Sequence, residues 1–133
     1  MTTETVMESV QLFELASRQA EWLSVRQTLI SGNIANANTP GFRAKDVASF
    51  DAVLQNTQLP MKATNPMHFT NSTTESYVVE PEVNKGSATQ LSGNSVELSE
   101  ELMKQGSIKR DYDLNAAIVK SFNKMMLMTV RKG

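Results

Sequence analysis

Apolar residues recur every three or four positions at both ends of the chain and lose that rhythm in between. From residue 6 to 37 the spacing runs Val6, Ser9, Phe13, Ala16, Ala20, Leu23, Gln27, Ile30, Ile34, Ala37. Alternating steps of three and four trace one side of an α-helix and form a coiled-coil-like seam. A neighbouring stripe of Leu12, Leu15, Trp22 and Leu29 widens the apolar side, as a helix with more than one packing partner requires. A second seam runs Leu98, Leu102, Gln105, Lys109, Tyr112, Ala116, Val119, Asn123, Met126, Val130, with Gly106 as a local weak point. Beyond Asp113, apolar residues cover most of that helix's circumference: Leu114, Ile118, Val119, Phe122, Met125, Met126, Leu127, Met128 and Val130. A helix apolar on nearly every side has to be surrounded, and one partner helix cannot do it. Methionines 125, 126 and 128 suit an irregular partner surface.

The first helix cannot pass Thr39-Pro40-Gly41. The residue before proline leaves the α region, and proline has no amide hydrogen to donate. Pro40 and Gly41 fit the central positions of a type II turn, and Asn33, Asn36 and Asn38 can bond locally near a helix end. In the middle, Val47, Phe50, Val53 and Leu54 predict one or two helical turns before Pro60. Residues 61–95 are rich in Thr, Asn, Ser and Gly, with Tyr77–Glu80 as the clear strand candidate. The last helix is expected to start near Gly93–Ser99, capped by Asn94 or Ser95. The expected fold is mainly α: long N- and C-terminal helices pairing as a coiled-coil-like bundle, with an irregular middle that has room for a short β element. The chain reads as one domain: helix over 1–38, turn and polar middle over 39–95, helix over 96–133.

Composition narrows the chemistry. A net charge of −1 gives no basic footprint for nucleic acid. There are no cysteines, which excludes disulfides and thiol catalysis. No apolar run reaches the roughly 18 residues of a membrane span, and the start lacks the basic and apolar regions of a secretory signal. Histidine occurs once, at His68, with no second ligand at helical spacing. Glu100–Glu101 and Asp111–Asp113 are neighbours that do not face each other on a helix, and read as solvated surface. The glycines are isolated, so no phosphate-binding loop is present. No catalytic, cofactor-binding or metal site and no small-molecule substrate is expected. Acids predominate in residues 1–40, with Glu4, Glu8, Glu14 and Glu21 against Arg18 and Arg26. After Asp113 only bases occur: Lys120, Lys124, Arg131 and Lys132. The layout is that of an assembly subunit, with Phe13, Leu23, Ile30, Ile34, Tyr112, Val119, Phe122 and Met126 as expected interface residues.

The run Asn33-Ile34-Ala35-Asn36-Ala37-Asn38-Thr39-Pro40-Gly41-Phe42-Arg43-Ala44-Lys45-Asp46 resembles the N-terminal signature of bacterial flagellar axial proteins, with Asn33, Asn36, Thr39, Pro40, Gly41 and Phe42 carrying the match. Its Thr-Pro-Gly-aromatic-basic form is similar to the flagellar basal-body rod proteins of the proximal rod. Thr64–Phe69 and Gly93–Leu102 resemble two further stretches of that family. Phe42 replaces a common tyrosine, and Asp111-Tyr112-Asp113 replaces a basic-Tyr-Gln run. The resemblance implies a non-enzymatic subunit of the basal-body rod, in the periplasm after signal-less export. Implied partners are copies of itself, other rod subunits, the junction protein between rod and membrane ring, and the flagellar export apparatus. The competing expectation is a soluble helical binding module or membrane-surface protein that uses the basic C-terminal helix as an amphipathic anchor.

Overall fold

The computed structural model describes residues 3–57, 81–83 and 88–131. Element order is α1 (Thr3–Ala35), β1 (Lys45–Val47), α2 (Phe50–Thr57), β2 (Pro81–Val83) and α3 (Leu98–Arg131). The two long helices pack against each other over most of their length. Their pairing is antiparallel: Phe13 meets Phe122 edge-on at 5.7 Å, the Tyr112 hydroxyl donates to the Ala20 carbonyl, and Asn33 reaches Glu101. Glu4 in the first turn of α1, and Glu100, Glu101 and Arg131 at the two ends of α3, complement the helix dipoles.

The core is small and lies toward the loop end of this hairpin. Trp22, Leu23, Ile30 and Ile108 are its buried members, with Ile34, Val47, Phe50, Val53 and Tyr112 packed around them. The seam expected in α1 is largely the one observed, with Ser9, Leu23 and Ile30 buried along it. In the stripe beside it Trp22 has a partner, stacking at a tilt on Phe50 and donating its indole N–H to the Ala48 carbonyl at 2.9 Å, whereas Leu15 is exposed.

α3 departs from expectation in its first half. Leu98 and Leu102 are half exposed, at 48% and 51%, whereas Glu101 and Ile108 are buried. The helix is rotated because a polar partner, Asn33, fixes Glu101 on the inner side. From Tyr112 onward the inward residues are Tyr112, Asn115, Val119, Phe122 and Met126. Val47 belongs to a strand rather than to the following helix. β1 pairs antiparallel with β2, Lys45 opposite Val83 and Val47 opposite Pro81. β2 begins at Pro81, a position where the missing N–H is tolerated. The Tyr77–Glu80 strand candidate and His68 lie outside the described residues.

Candidate functional site

Two features stand out: a polar clasp at the loop end of the hairpin, and an unpartnered outer surface along both helices.

The clasp is built from the two ends of the chain's motifs. Thr39 to Phe42 forms the expected type II turn, with the Phe42 N–H on the Thr39 carbonyl at 3.3 Å and Gly41 at φ 75°. A second glycine, Gly93 at φ 79°, lies against it, so that a Cβ there would sit 3.4 Å from the Gly41 Cα. The Gly41 N–H donates to the Ser92 carbonyl and the Ser95 N–H to the Phe42 carbonyl, both at 3.0 Å. Asn94 is almost fully buried. Its side-chain amide donates to the carbonyls of Asn36, Ala37 and Thr39, at 2.9, 3.0 and 2.8 Å. These carbonyls belong to the turns that follow α1, and those of Asn36 and Thr39 also accept the N–H groups of Thr39 and Phe42. Asn94 therefore ties down the turns just beyond α1 from across the fold. It does not cap α3, and neither does Ser95, whose hydroxyl accepts the Ala44 N–H at 2.9 Å.

Asn33 performs the same kind of bridging one turn earlier. Its side chain accepts the Lys45 N–H at 3.0 Å and donates to the Lys45 carbonyl at 2.7 Å, as a neighbouring strand would. It also donates to Glu101 Oε2 at 2.9 Å. The other Glu101 oxygen takes Lys104 Nζ at 3.0 Å, and Lys104 reaches Glu100 at 3.0 Å and Asp46 at 3.8 Å. Asp46 receives Arg26 in a two-pronged contact of 3.0 and 3.2 Å, and Arg26 lies 5.4 Å over the Trp22 ring. Burial disfavours the charged form of Lys104. The hydrogen bonds it donates to Glu100 and Glu101, with the negative charges of both, outweigh that and hold its pKa above the ordinary lysine value of 10.5. Glu101, expected on a solvated face, is thus the carboxylate at the centre of the clasp. Its position seven residues before Ile108, on the inner seam, was the available signal. Among the described residues no cluster of His, Cys, Asp or Glu could hold a metal ion.

Of the expected interface residues, Leu23 and Ile30 are fully buried inside one chain. Ile34 and Tyr112 pack against the core. Phe13, Val119, Phe122 and Met126 are half buried between α1 and α3. The exposed apolar residues lie elsewhere: Met7 and Val10 near the start of α1, and Met103, Leu114, Ile118, Met125, Leu127, Met128 and Val130 along α3. Among the described residues no helix is long and apolar enough to cross a membrane.

Residues 22–43, from Trp22 through the turn, match the family model described as flagella basal body rod protein. Across 133 residues the chain is 57% identical to the flagellar basal body rod protein FlgB of Agrobacterium fabrum, which covers 97% of this chain and 99% of that protein. The chain belongs to the FlgB family of flagellar basal body rod proteins. That family consists of structural proteins of the flagellar basal body rod, not enzymes. Within the matched segment the structure supplies a physical role for five of the six motif residues. Asn33 bridges three elements, the Asn36 and Thr39 carbonyls receive Asn94, and Pro40-Gly41 makes the turn on which Gly93 rests.

Proposed function

We propose that this chain is a self-assembling subunit of the proximal rod, contacting copies of itself and other rod subunits through the outer surfaces of α1 and α3. In this reading it joins the membrane ring and its junction protein to the more distal rod, and reaches that position through the flagellar export apparatus. The carrying observation is the exposure of Leu114, Ile118, Met125, Leu127, Met128 and Val130 on one helix of a chain with a small core. Apolar surface of this extent marks an interaction site. The half-buried residues between the helices, Phe13, Val119, Phe122 and Met126, then sit at the margin of the contact. Leu23, Ile30, Ile34 and Tyr112 support it by holding the hairpin together.

The test is a chain carrying Leu114→Asp with Ile118→Asp. Both positions are exposed, so the isolated protein is expected to keep its helix content and melting temperature. Secreted protein and isolated basal bodies are then assayed side by side. Export without incorporation is the expected outcome, and normal incorporation would overturn the reading. Sedimentation of the unaltered protein with anionic vesicles, at a level that the same double substitution abolishes, would favour a membrane-surface role instead.

A further inference from the structure

We propose that a second copy of this chain lays the outer face of its α1 against the outer face of α3, in the antiparallel register of the intrachain pair, so that copies join head to tail in an open array. This rests on the self-assembly reading and names the surfaces that would carry it. At 3.6 residues per turn, Glu14, Arg18 and Glu21 lie on the side of α1 away from Leu23 and Ile30, in line with exposed Met7 and Val10. Arg110, Asp113 and Lys120 lie on the half of α3 turned away from Ile108 and Val119, with Arg110 in line with exposed Met128, Asp113 and Lys120 toward one flank and exposed Leu114 toward the other. Among the described residues Glu21, Arg110, Asp113 and Lys120 make no ion pair. Glu14 and Arg18 pair only with each other, at 2.7 Å on the open surface.

The order of these charges selects the partner. Within one chain Phe13 faces Phe122 and Ala20 faces Tyr112. A parallel neighbour in the same register sets Glu14 by Lys120, Arg18 by Asp113, Glu21 by Arg110, and Met7 by Met128. Each acid meets a base along the whole run. The same faces do not complement themselves. An antiparallel pair of α1 faces centred there puts Glu14 on Glu21 and Arg18 on Arg18, and a pair of α3 faces puts Arg110 on Lys120. Like charges placed opposite each other discriminate against such pairings. A face that fits a different face on the next copy gives a heterologous contact, which forms rings or filaments rather than a closed dimer.

Gly106 fits the same picture. It sits mid-helix on the outer side of α3, without positive φ, and a Cβ there would meet nothing within 4 Å. A helix-interior glycine costs about 1 kcal/mol relative to alanine, and no described residue packs against its open side. Grooves open on both sides of it, one toward Leu102 and Tyr112 and the other toward Met103 and Arg110. In the proposed register the α1 backbone of the neighbour, near Val25 and Thr28, passes over this notch.

Because the chain has no cysteine, Glu14→Cys and Lys120→Cys introduce single reporters at exposed sites. The full-length variants are mixed in equal amounts and oxidised. A disulfide-linked pair joining the two variants, about tenfold over either homodimer, is expected, and the chain carrying both cysteines should give a ladder of oligomers. Predominant homodimers, or a link inside one chain whose yield ignores dilution, would overturn the proposal. So would an absence of cross-links in protein that sediments as an oligomer, which leaves self-assembly standing through other surfaces. Protein that stays monomeric at every concentration and is missing from basal bodies would refute self-assembly itself. As a second arm, Arg18→Glu should weaken self-association about tenfold, and adding Asp113→Arg should restore it. Failure of that rescue, with the cross-link also absent, rejects the register.

Discussion

Replacing Asn33 with alanine should cost more stability than its size suggests. The side chain is 1% exposed and makes three bonds: to the Lys45 carbonyl at 2.7 Å, from the Lys45 N–H at 3.0 Å, and to Glu101 Oε2 at 2.9 Å. The two neutral bonds are each worth about 1 kcal/mol and the one to the carboxylate about 1.5–3 kcal/mol. Truncation also leaves one oxygen of Glu101, a residue itself 1% exposed, without its hydrogen bond while the other keeps Lys104, and an unsatisfied buried acceptor carries its own penalty. The expected loss is about 3–5 kcal/mol, a large share of the roughly 5–15 kcal/mol that holds a domain of this kind together. For a chain of this size that corresponds to roughly 10–20 °C in melting temperature. The assay is thermal and urea unfolding of the purified chain followed by circular dichroism, with Asn38→Ala as control. Asn38 belongs to the same asparagine-rich run but is exposed and makes no side-chain bond among the described residues, so it should change stability by less than about 0.5 kcal/mol. Adding Glu101→Leu to Asn33→Ala should recover part of the loss, because the unsatisfied buried oxygen is gone while Lys104 keeps Glu100. A shift below about 3 °C for Asn33→Ala, or equal shifts for the two asparagines, would refute the reasoning.

Three further outcomes are expected. Gly93→Ala and Gly41→Ala should each destabilise by about 1–3 kcal/mol, because both impose positive φ on a residue with a Cβ while the added Cβ meets at most ordinary contact, at 3.4 Å for Gly93 and nothing within 4 Å for Gly41; unchanged melting temperatures would contradict this. Lys104 has a raised folded-state pKa, so its contribution is fully present below the ordinary value of 10.5 and is lost as pH climbs through the folded value; the melting temperature should therefore drop on the alkaline side of that value, and a Lys104→Met chain should lack that step. Amide hydrogen exchange on dilute monomer should show protection falling from the clasp toward residues 3–12 and 120–131, because α3 has no buried residue after Ile108; uniform protection along both helices would be the contrary result.

What could be read in the sequence was what repeats. The step of three and four placed α1 and its buried Leu23 and Ile30, and proline with glycine placed the turn at residues 39–42. Polar partnerships across the fold leave no such rhythm. Glu101 reads as surface because its neighbour Glu100 is acidic and no local residue announces Asn33 as its acceptor's partner, 68 positions away. Asn94 reads as a helix cap because caps are usually local, yet it binds turn carbonyls more than fifty residues earlier in the chain. Apolar content in the first half of α3 pointed to Leu98 and Leu102 as inward. A single buried carboxylate bonded to Asn33 and Lys104 turned the helix and left both leucines outside. The three helix-to-helix hydrogen bonds from Tyr112 and Asn115, to the carbonyls of Ala20 and Ala16 and to Gln19, are equally invisible to a hydropathy pattern.

Those bonds assign different tasks to the two sides of each helix. A seam of apolar residues alone tolerates sliding by one heptad, since the next layer offers similar contacts. Asn115 and Tyr112 bind particular carbonyls of α1, and Asn33 binds one carboxylate of α3, so a slide of seven residues would strand several buried polar groups at once. The inner sides therefore fix one register while burying little apolar area. The outer sides keep the larger apolar residues, Leu114, Ile118, Met125 and Met128, and carry charges that make no ion pair among the described residues beyond the exposed Glu14–Arg18 pair. A fixed inner register is what makes the outer charge order meaningful: Glu14, Arg18 and Glu21 can be set against Lys120, Asp113 and Arg110 of a neighbour only if both helices of each copy are held at one relative height. Loosening the clasp, by Asn33→Ala or Gly93→Ala, should then impair assembly at temperatures well below the point at which the isolated chain unfolds.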